Sequence, residues 1–300
     1  MAESTIEITS EAAKRDKRKL LTEISIYLSP IIAIVSVFVF APLLIILFYS
    51  FMETGEFGQI IYTFTLEHYK DILSGGYGTI FIRSIYLAFQ TNIGCILIGY
   101  PIAYFIAIYG GKWKPLLILL VIIPSWASYL IRLYALKTML GSSGVINGLL
   151  LSMGLISTPI QILYTPFAVT IGLVYAWLPF MILPVHAALE GIDRSMLEAA
   201  GDLGATPLRR FFRVTVPLTK GGIIAGSIFV FIPTVGEWLV PHILGGGKMM
   251  MAGSLVAQKF TVAGNIPAGS SLSVFLASTL ILILYLAIKY GGAESMEKMV

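Results

Sequence analysis

Six stretches of this chain are long and apolar enough to cross a membrane. A bilayer core about 30 Å thick is crossed by about 20 residues of helix. Runs of that order recur at residues 26–51, 85–109, 116–140, 167–189, 222–244 and 272–289. Most are apolar on every side, which separates a span from a surface helix with a single apolar stripe. Composition agrees: 12% of the 300 residues are charged, against roughly a quarter in soluble domains, and the mean hydropathy is +0.88. The expected fold is all-α, a polytopic membrane protein of six transmembrane helices. A scattered net charge of +4 gives no footprint for nucleic acid. The single cysteine, Cys95, excludes an intrachain disulfide and reads as a small buried hydrophobe. No A-x-A-like cleavage site follows the first apolar run, so that run is expected to stay as an anchor.

Basic residues set the orientation, because loops rich in Lys and Arg stay in the cytoplasm. Lys14, Arg15, Lys17, Arg18 and Lys19 precede the first span; Lys112 and Lys114 follow the second. Arg194, Arg209, Arg210, Arg213 and Lys220 follow the fourth, and Lys289 and Lys298 end the sixth. The opposite side carries Lys70, Lys248 and Lys259, with Arg83 and Lys137 at helix ends, and residues 141–165 carry no charge. Both termini are therefore expected in the cytoplasm of a bacterial inner membrane. The division is a cytoplasmic tail at 1–25, a transmembrane domain at 26–290 with a cytoplasmic loop at 190–220, and a second tail at 291–300. Within the outer loops, the apolar run at 145–156 is too short to span and reads as an interfacial or re-entrant helix.

The 190–220 loop reads as two short amphipathic helices. Ser195 and Glu198 have capping-box spacing. Met196, Ala199, Ala200 and Leu203 fall on one face, and Gly204 suits the C-terminal end. Thr206-Pro207 restarts a helix with Leu208, Phe211, Phe212 and Thr215 on its apolar face, and Pro217 is expected to stop it. Helices this short do not hold alone. Their faces either cover the bundle or dock a cytoplasmic partner.

The residues of this loop resemble a known signature. Glu198-Ala199-Ala200, Gly204, Val214, Val216 and Pro217 stand at the spacing of the EAA loop in permeases of binding-protein-dependent ABC importers, which prefer Ile and Leu where this chain has the two valines. The resemblance implies a type I ABC importer permease fold. It implies that Glu198, Ala199, Ala200, Leu203, Gly204 and Arg209 couple to an ATPase. The implied assembly holds a second homologous permease, two ATP-binding subunits and an extracytoplasmic solute-binding protein, with membrane lipid around it. A narrower likeness covers most of the chain after Tyr100. It runs through Pro124-Ser125-Trp126, Leu130-Ile131-Arg132-Leu133-Tyr134, Gly144-Val145-Ile146-Asn147, Leu218 to Ser227, Phe231 to Glu237, Pro241 and Leu244-Gly245-Gly246. These segments are similar to spermidine/putrescine permeases, the putrescine type above all, and imply a polyamine as substrate.

A polyamine is a flexible chain of ammonium groups, so its path needs carboxylates, carbonyls and aromatic faces in place of water. Glu237 is the one acidic residue expected deep in a span, in a stretch interrupted by Pro233 and Pro241, and such prolines free backbone carbonyls. It either lines the pathway or pairs with Arg132, the one basic residue expected at depth. Trp126, Tyr129, Tyr134 and Trp238 offer ring faces, or pack as interfacial aromatics. His68, His186 and His242 have no metal-ligand spacing, and no metal is expected. His186 and Glu190 stand at i, i+4 and suggest a helix-end hydrogen bond, and Gly222 and Gly226 form a G-x-x-x-G step for close helix contact. No phosphate-cradling G-x-x-x-x-G-K-[ST] run and no hydrolase motif occurs. The chain is thus expected not to be an enzyme and to bind no cofactor, with ATP held by a partner subunit. A self-contained secondary transporter would call for inverted repeats and polar residues in several spans, and an intramembrane enzyme for paired catalytic groups.

Overall fold

The computed structural model describes residue 25 and residues 27–56, 58–247 and 249–291. The basic cluster at Lys14–Lys19, Lys248 and Lys298 lie outside the described residues. Helix α1 (Tyr27–Tyr49) leads to a small hairpin, β1 (Met52–Thr54) and β2 (Ile60–Phe64), then α2 (Glu67–Ser74) and α3 (Tyr77–Tyr109). There follow α4 (Lys114–Trp126), α5 (Tyr129–Leu140), α6 (Val145–Ser152) and α7 (Pro166–Glu190). The 190–220 loop forms the pair α8 (Arg194–Asp202) and α9 (Pro207–Leu218). The chain closes with α10 (Lys220–Val235), α11 (Leu239–Leu244), α12 (Ala252–Thr261) and α13 (Ile266–Gly291).

Among the described residues four helices, α1, α3, α7 and α13, are long and apolar enough to cross a membrane unaided, and two bent pairs bring the number to six. The third span differs from the uninterrupted helix expected at 116–140. It breaks after Trp126, and the two arms meet at 92°. Pro124 lacks an amide hydrogen for the turn before it, and Ala127 and Ser128 are extended (φ −69°, ψ 148° and φ −51°, ψ 131°). The fifth span, expected at 222–244, breaks at residues 236–238 between α10 and α11. Another bend, of 66°, separates α9 from α10. It falls at Thr219, two residues after the expected stop, because Pro217 is tolerated in the first turn of Val216–Leu218. The outer loop at 52–82 gains structure beyond expectation, since Ile60, Ile61, Tyr62, Thr63 and Phe64 are β-branched or aromatic and pair antiparallel with Met52–Thr54.

Three apolar clusters hold the bundle. One joins Leu133, Val169, Leu173, Val240 and Leu244 across α5, α7 and α11. A second joins Cys95, Ala103, Met181, Val185 and Val230 across α3, α7 and α10. A third ties α3 to α12 and α13 through Phe81, Leu255 and Leu272. The glycine step works as its spacing predicts. A Cβ at Gly222 would stand 2.5 Å from Ala188 Cβ, and one at Gly226 would stand 2.8 Å from Met181 Sδ, so α10 lies against α7 at backbone range. At the start of α4 Lys114 bridges to Glu190, the last residue of α7, at 3.0 Å, and His186 Nε2 stands 3.6 Å from the same carboxylate. The second distance is too long for the expected hydrogen bond.

Candidate functional site

The breaks in the third and fifth spans meet. Pro233 weakens the end of α10, Gly236 closes it, and Glu237 follows with its side chain 7% exposed. Its Oε2 accepts a hydrogen bond from the Tyr129 hydroxyl at 2.8 Å. Its Oε1 accepts from the backbone N–H of Trp238 at 3.1 Å and of Leu239 at 3.0 Å. Those amides open α11 and would otherwise lack partners, as the first amides of any helix do. Three donors therefore face one carboxylate. Tyr129 reaches it because it is the first residue of α5, delivered there by the 92° bend. Helix α12 seals the same break: a Cβ on Gly253 would collide with the carbonyl oxygen of Gly236, and the Ala252 N–H donates to Ser84 Oγ on α3 at 2.8 Å.

Of the six pathway candidates, Tyr129, Arg132, Glu237 and Trp238 come together here, with a correction to the roles. Arg132 does not pair with Glu237. Among the described residues its guanidinium has no carboxylate within ion-pair range. Its carbon stands 5.5 Å from the centre of the Tyr129 ring and 6.0 Å from that of Tyr175, and its buried Nε has no hydrogen-bond partner. Tyr129 intervenes, with its hydroxyl on the acid and its face toward the base. Trp126 is 75% exposed, and Tyr134 lies on the outer turn of α5 beside Lys137 at 5.8 Å; no hydrogen bond or ring contact joins either to Glu237. Beside the break, Trp238, His242, Met249, Met250, Ser254 and Gln258 line an open cleft of about 240 Å³. Tyr175 and Ser84 carried no local signal, because each acts across more than forty residues of sequence. Among the described residues no three His, Cys, Asp or Glu side chains cluster closely enough to hold a metal.

The 190–220 loop is built from local rules. Asp193, not Ser195, caps α8, accepting from the Ser195 N–H at 2.9 Å, the donor that Glu198 was expected to take. These hydrogen bonds hold the Asp193 carboxyl below its ordinary range. At the other end the Gly204 N–H donates to Gly201 O (2.8 Å) and the Ala205 N–H to Ala200 O (3.0 Å), the paired closure that needs a left-handed residue between. Gly204 supplies it with φ +78°. Thr206 caps α9 as its sequence predicts, accepting from the Arg209 N–H at 3.4 Å. Arg210 donates to Leu197 O at 3.2 Å and ties the two helices. The expected apolar face of α9 divides: Phe211 stands edge-on to Tyr100 (5.5 Å) and Tyr104 (5.2 Å) of α3, whereas Leu208 and Phe212 stay exposed. On α8, Met196 is exposed and Leu203 is 89% exposed; Glu198, Ala199 and Arg209 are exposed and Ala200 half-buried.

The chain is similar to known transport proteins over most of its length. The family described as binding-protein-dependent transport system inner membrane component matches residues 10–290. The spermidine/putrescine transport system permease protein PotB of Haemophilus influenzae is 41% identical over 248 residues, 83% of this chain and 87% of the relative. PotB of Escherichia coli K12 is 38% identical over 263 residues, 88% and 95% of the two chains. Among solved structures, a chain of a bacterial alginate ABC transporter, in complex with an alginate pentasaccharide-bound periplasmic protein, superposes with a TM-score of 0.68 over 94% of this chain and 97% of that one. At 19% identity this is a likeness of fold. The chain belongs to the family of inner-membrane components of binding-protein-dependent transport systems, the multi-pass permeases of ABC importers.

Proposed function

We propose that this permease forms half of the translocation pathway for a polyamine, putrescine or spermidine, and that Glu237 is the carboxylate that meets the ammonium groups. One observation carries the proposal: in a chain 41% identical to a permease named for spermidine and putrescine, an acidic side chain stands buried where two broken helices meet. Ionisable groups at membrane depth are expensive and mark transport paths. An ammonium arriving from the outer side would take the place of the Tyr129 hydroxyl on Oε2, while the two amides of α11 keep hold of Oε1. Trp238 and Tyr129 offer ring faces to the chain between ammonium groups, and Trp126, Tyr134 and Arg132 flank the approach.

The assembly proposed is a second homologous permease, two ATP-binding subunits that hold the ATP, and an extracytoplasmic solute-binding protein; both termini of this chain are cytoplasmic. The alginate transporter of like fold, with its bound periplasmic protein, supports the last partner. Residues 190–220 are the coupling element. Glu198, Ala199, Ala200, Leu203, Gly204 and Arg209 face the ATPase, and the exposed Leu203 side chain supports that reading. Closure of the ATPases moves α8 and α9, and through them the bundle. The test is uptake of radiolabelled putrescine and spermidine by cells carrying the full system, with Glu237→Gln compared to wild type. Uptake that falls at least about tenfold in an assembled variant, the equivalent of losing one charge-assisted hydrogen bond of about 1.4 kcal/mol or more, supports the assignment. Wild-type uptake of neither polyamine overturns the substrate; undiminished uptake by the variant overturns the role of Glu237.

A further inference from the structure

We infer that the hydrogen bond between Tyr100 and Thr219 pins the elbow between α9 and α10, and is the fixed point about which a stroke on α8 and α9 turns α10. The inference adds two positioning residues to the coupling role proposed for residues 190–220, and it rests on that role. Tyr100 belongs to α3 and Thr219 stands at the elbow 119 residues later, with their side-chain oxygens 2.8 Å apart. Tyr100 is 6% exposed and Thr219 0%, so bulk water serves neither hydroxyl. The direction of the bond follows from its surroundings. Thr219 Oγ1 also lies 2.9 Å from Thr215 O and 3.2 Å from Val216 O. Carbonyls only accept, so the one Thr219 proton goes to them and the Tyr100 hydroxyl donates to Thr219. A chain of hydrogen bonds from Tyr100 through Thr219 to Thr215 thus ties α3 to the last turn before the bend.

Other contacts meet at the same place and restrain it differently. Phe211 stands edge-on to Tyr100 and Tyr104, an apolar contact without direction, over which one helix can slide along another. Gly222 sets the first turn of α10 against Pro184 and Ala188 of α7. A hydrogen bond is short and directional, and a buried hydroxyl that loses its partner is costly. The bond between Tyr100 and Thr219 therefore outlasts a small movement that shifts the rings. The backbone carries the turn onward. The Thr219 N–H donates to Thr215 O at 3.0 Å and the Ile223 N–H to Thr219 O at 3.1 Å, so helical hydrogen bonds hold on both sides of the 66° bend. With the pin in place, force on α9 becomes rotation of α10. Without it, α9 slides along α3 and α10 stays where it is.

The test is uptake of radiolabelled putrescine and spermidine per ATP hydrolysed, by the complete importer in proteoliposomes. Tyr100→Phe and Thr219→Val are each expected to lower that ratio about fivefold, the equivalent of one neutral hydrogen bond, and Thr219→Ser, which keeps the hydroxyl, to hold it. Thr219→Val also strands the buried Tyr100 hydroxyl and should lower the Tm; the double variant Tyr100→Phe/Thr219→Val strands nothing and should regain it. The double variant decides. A low ratio at a recovered Tm supports the pin, and a ratio that recovers with the Tm leaves a structural role alone and overturns it. If the wild type takes up neither polyamine, spin labels at the exposed Leu97 of α3 and Phe229 of α10 give the answer. ATP is expected to change their separation in the wild type and not in the double variant; a separation that ATP leaves unchanged in the wild type, or changes equally in both, overturns the pin. Leu203→Asp separates this inference from the reading beneath it. If that variant loses the ATPase while the double variant keeps the wild-type ratio, the pin fails and the coupling role stands. If it keeps the ATPase bound, the coupling role fails and takes the pin with it.

Discussion

At residues 236–238 the chain meets its own polar groups, with three donors of the same chain on Glu237. On α8 and α9 it leaves apolar groups unmet, with Leu203, Leu208 and Phe212 exposed. Both regions interrupt the regular spans, but the solvent differs. Within lipid an unmatched polar group is costly and nothing outside the chain reliably supplies a partner. Outside the lipid the backbone can be capped locally, and an exposed leucine costs little until a partner buries it. Self-contained polar structure and unfinished apolar structure are thus two kinds of site; under the proposed function the first opens to act and the second is covered by a partner.

This contrast can be broken experimentally. Tyr129→Phe keeps the ring beside Arg132 and removes the donor to a buried carboxylate, so the permease should lose about 1.5–3 kcal/mol, read as a lower Tm in detergent, with retention of the ATPase unchanged. Leu203→Asp should do the reverse. Its stability, read from Tm in detergent, should stay within about 0.5 kcal/mol of wild type, as for other surface changes, while the ATPase retained falls about tenfold, or about 1.4 kcal/mol; a chain that unfolds would mean Leu203 is already packed. Gly204→Ala sharpens the picture, because nothing stands within 4 Å of a Cβ there and any loss comes from the left-handed backbone alone, about 1 kcal/mol, again seen in ATPase retention. The smallest effect belongs to Asp193. Its carboxyl titrates lower in the folded chain, so the cap contributes fully above the unfolded value near 3.9 and is lost as pH falls through the lowered one. ATPase retention should be flat from pH 7 to about 5 and decline only in stronger acid, and Asp193→Asn, which keeps an accepting oxygen, should remove that decline.

The reach of the sequence followed the same division. The long spans were legible because apolar length is a local property, and so were Gly204, Thr206 and the glycine step at Gly222 and Gly226. The cap at α8 was misplaced by two residues because Asp193 and Ser195 both carry a suitable oxygen, and only backbone geometry distinguishes them. The site resisted further. Pro233 and Pro241 announced an interruption near Glu237, but the bend after Trp126 is fixed by packing against α7 and α11. Without that bend Tyr129 would not reach across 108 residues of sequence. Arg132 and Glu237 invited pairing because they were the two charges expected at depth; the tyrosine placed between them keeps them apart.

The close contact of Gly222 and Gly226 with α7 has a mechanical consequence. Helices joined at backbone range cannot slide independently, so α7 and α10 form one bar, which a hinge at the 66° elbow beside Thr219 would turn as a unit. Phe211, set against Tyr100 and Tyr104, gives that elbow a fulcrum on α3. The bar is 16 residues long on its α10 side, about 24 Å. A tilt of about 5° at the elbow would carry the far tip, where Glu237 begins, through about 2 Å on that length. That displacement is enough to separate a hydroxyl from a carboxylate held at 2.8 Å. Under the proposed coupling, such a hinge would gear a small angular stroke at α8 and α9 to the breaking of one hydrogen bond on Glu237.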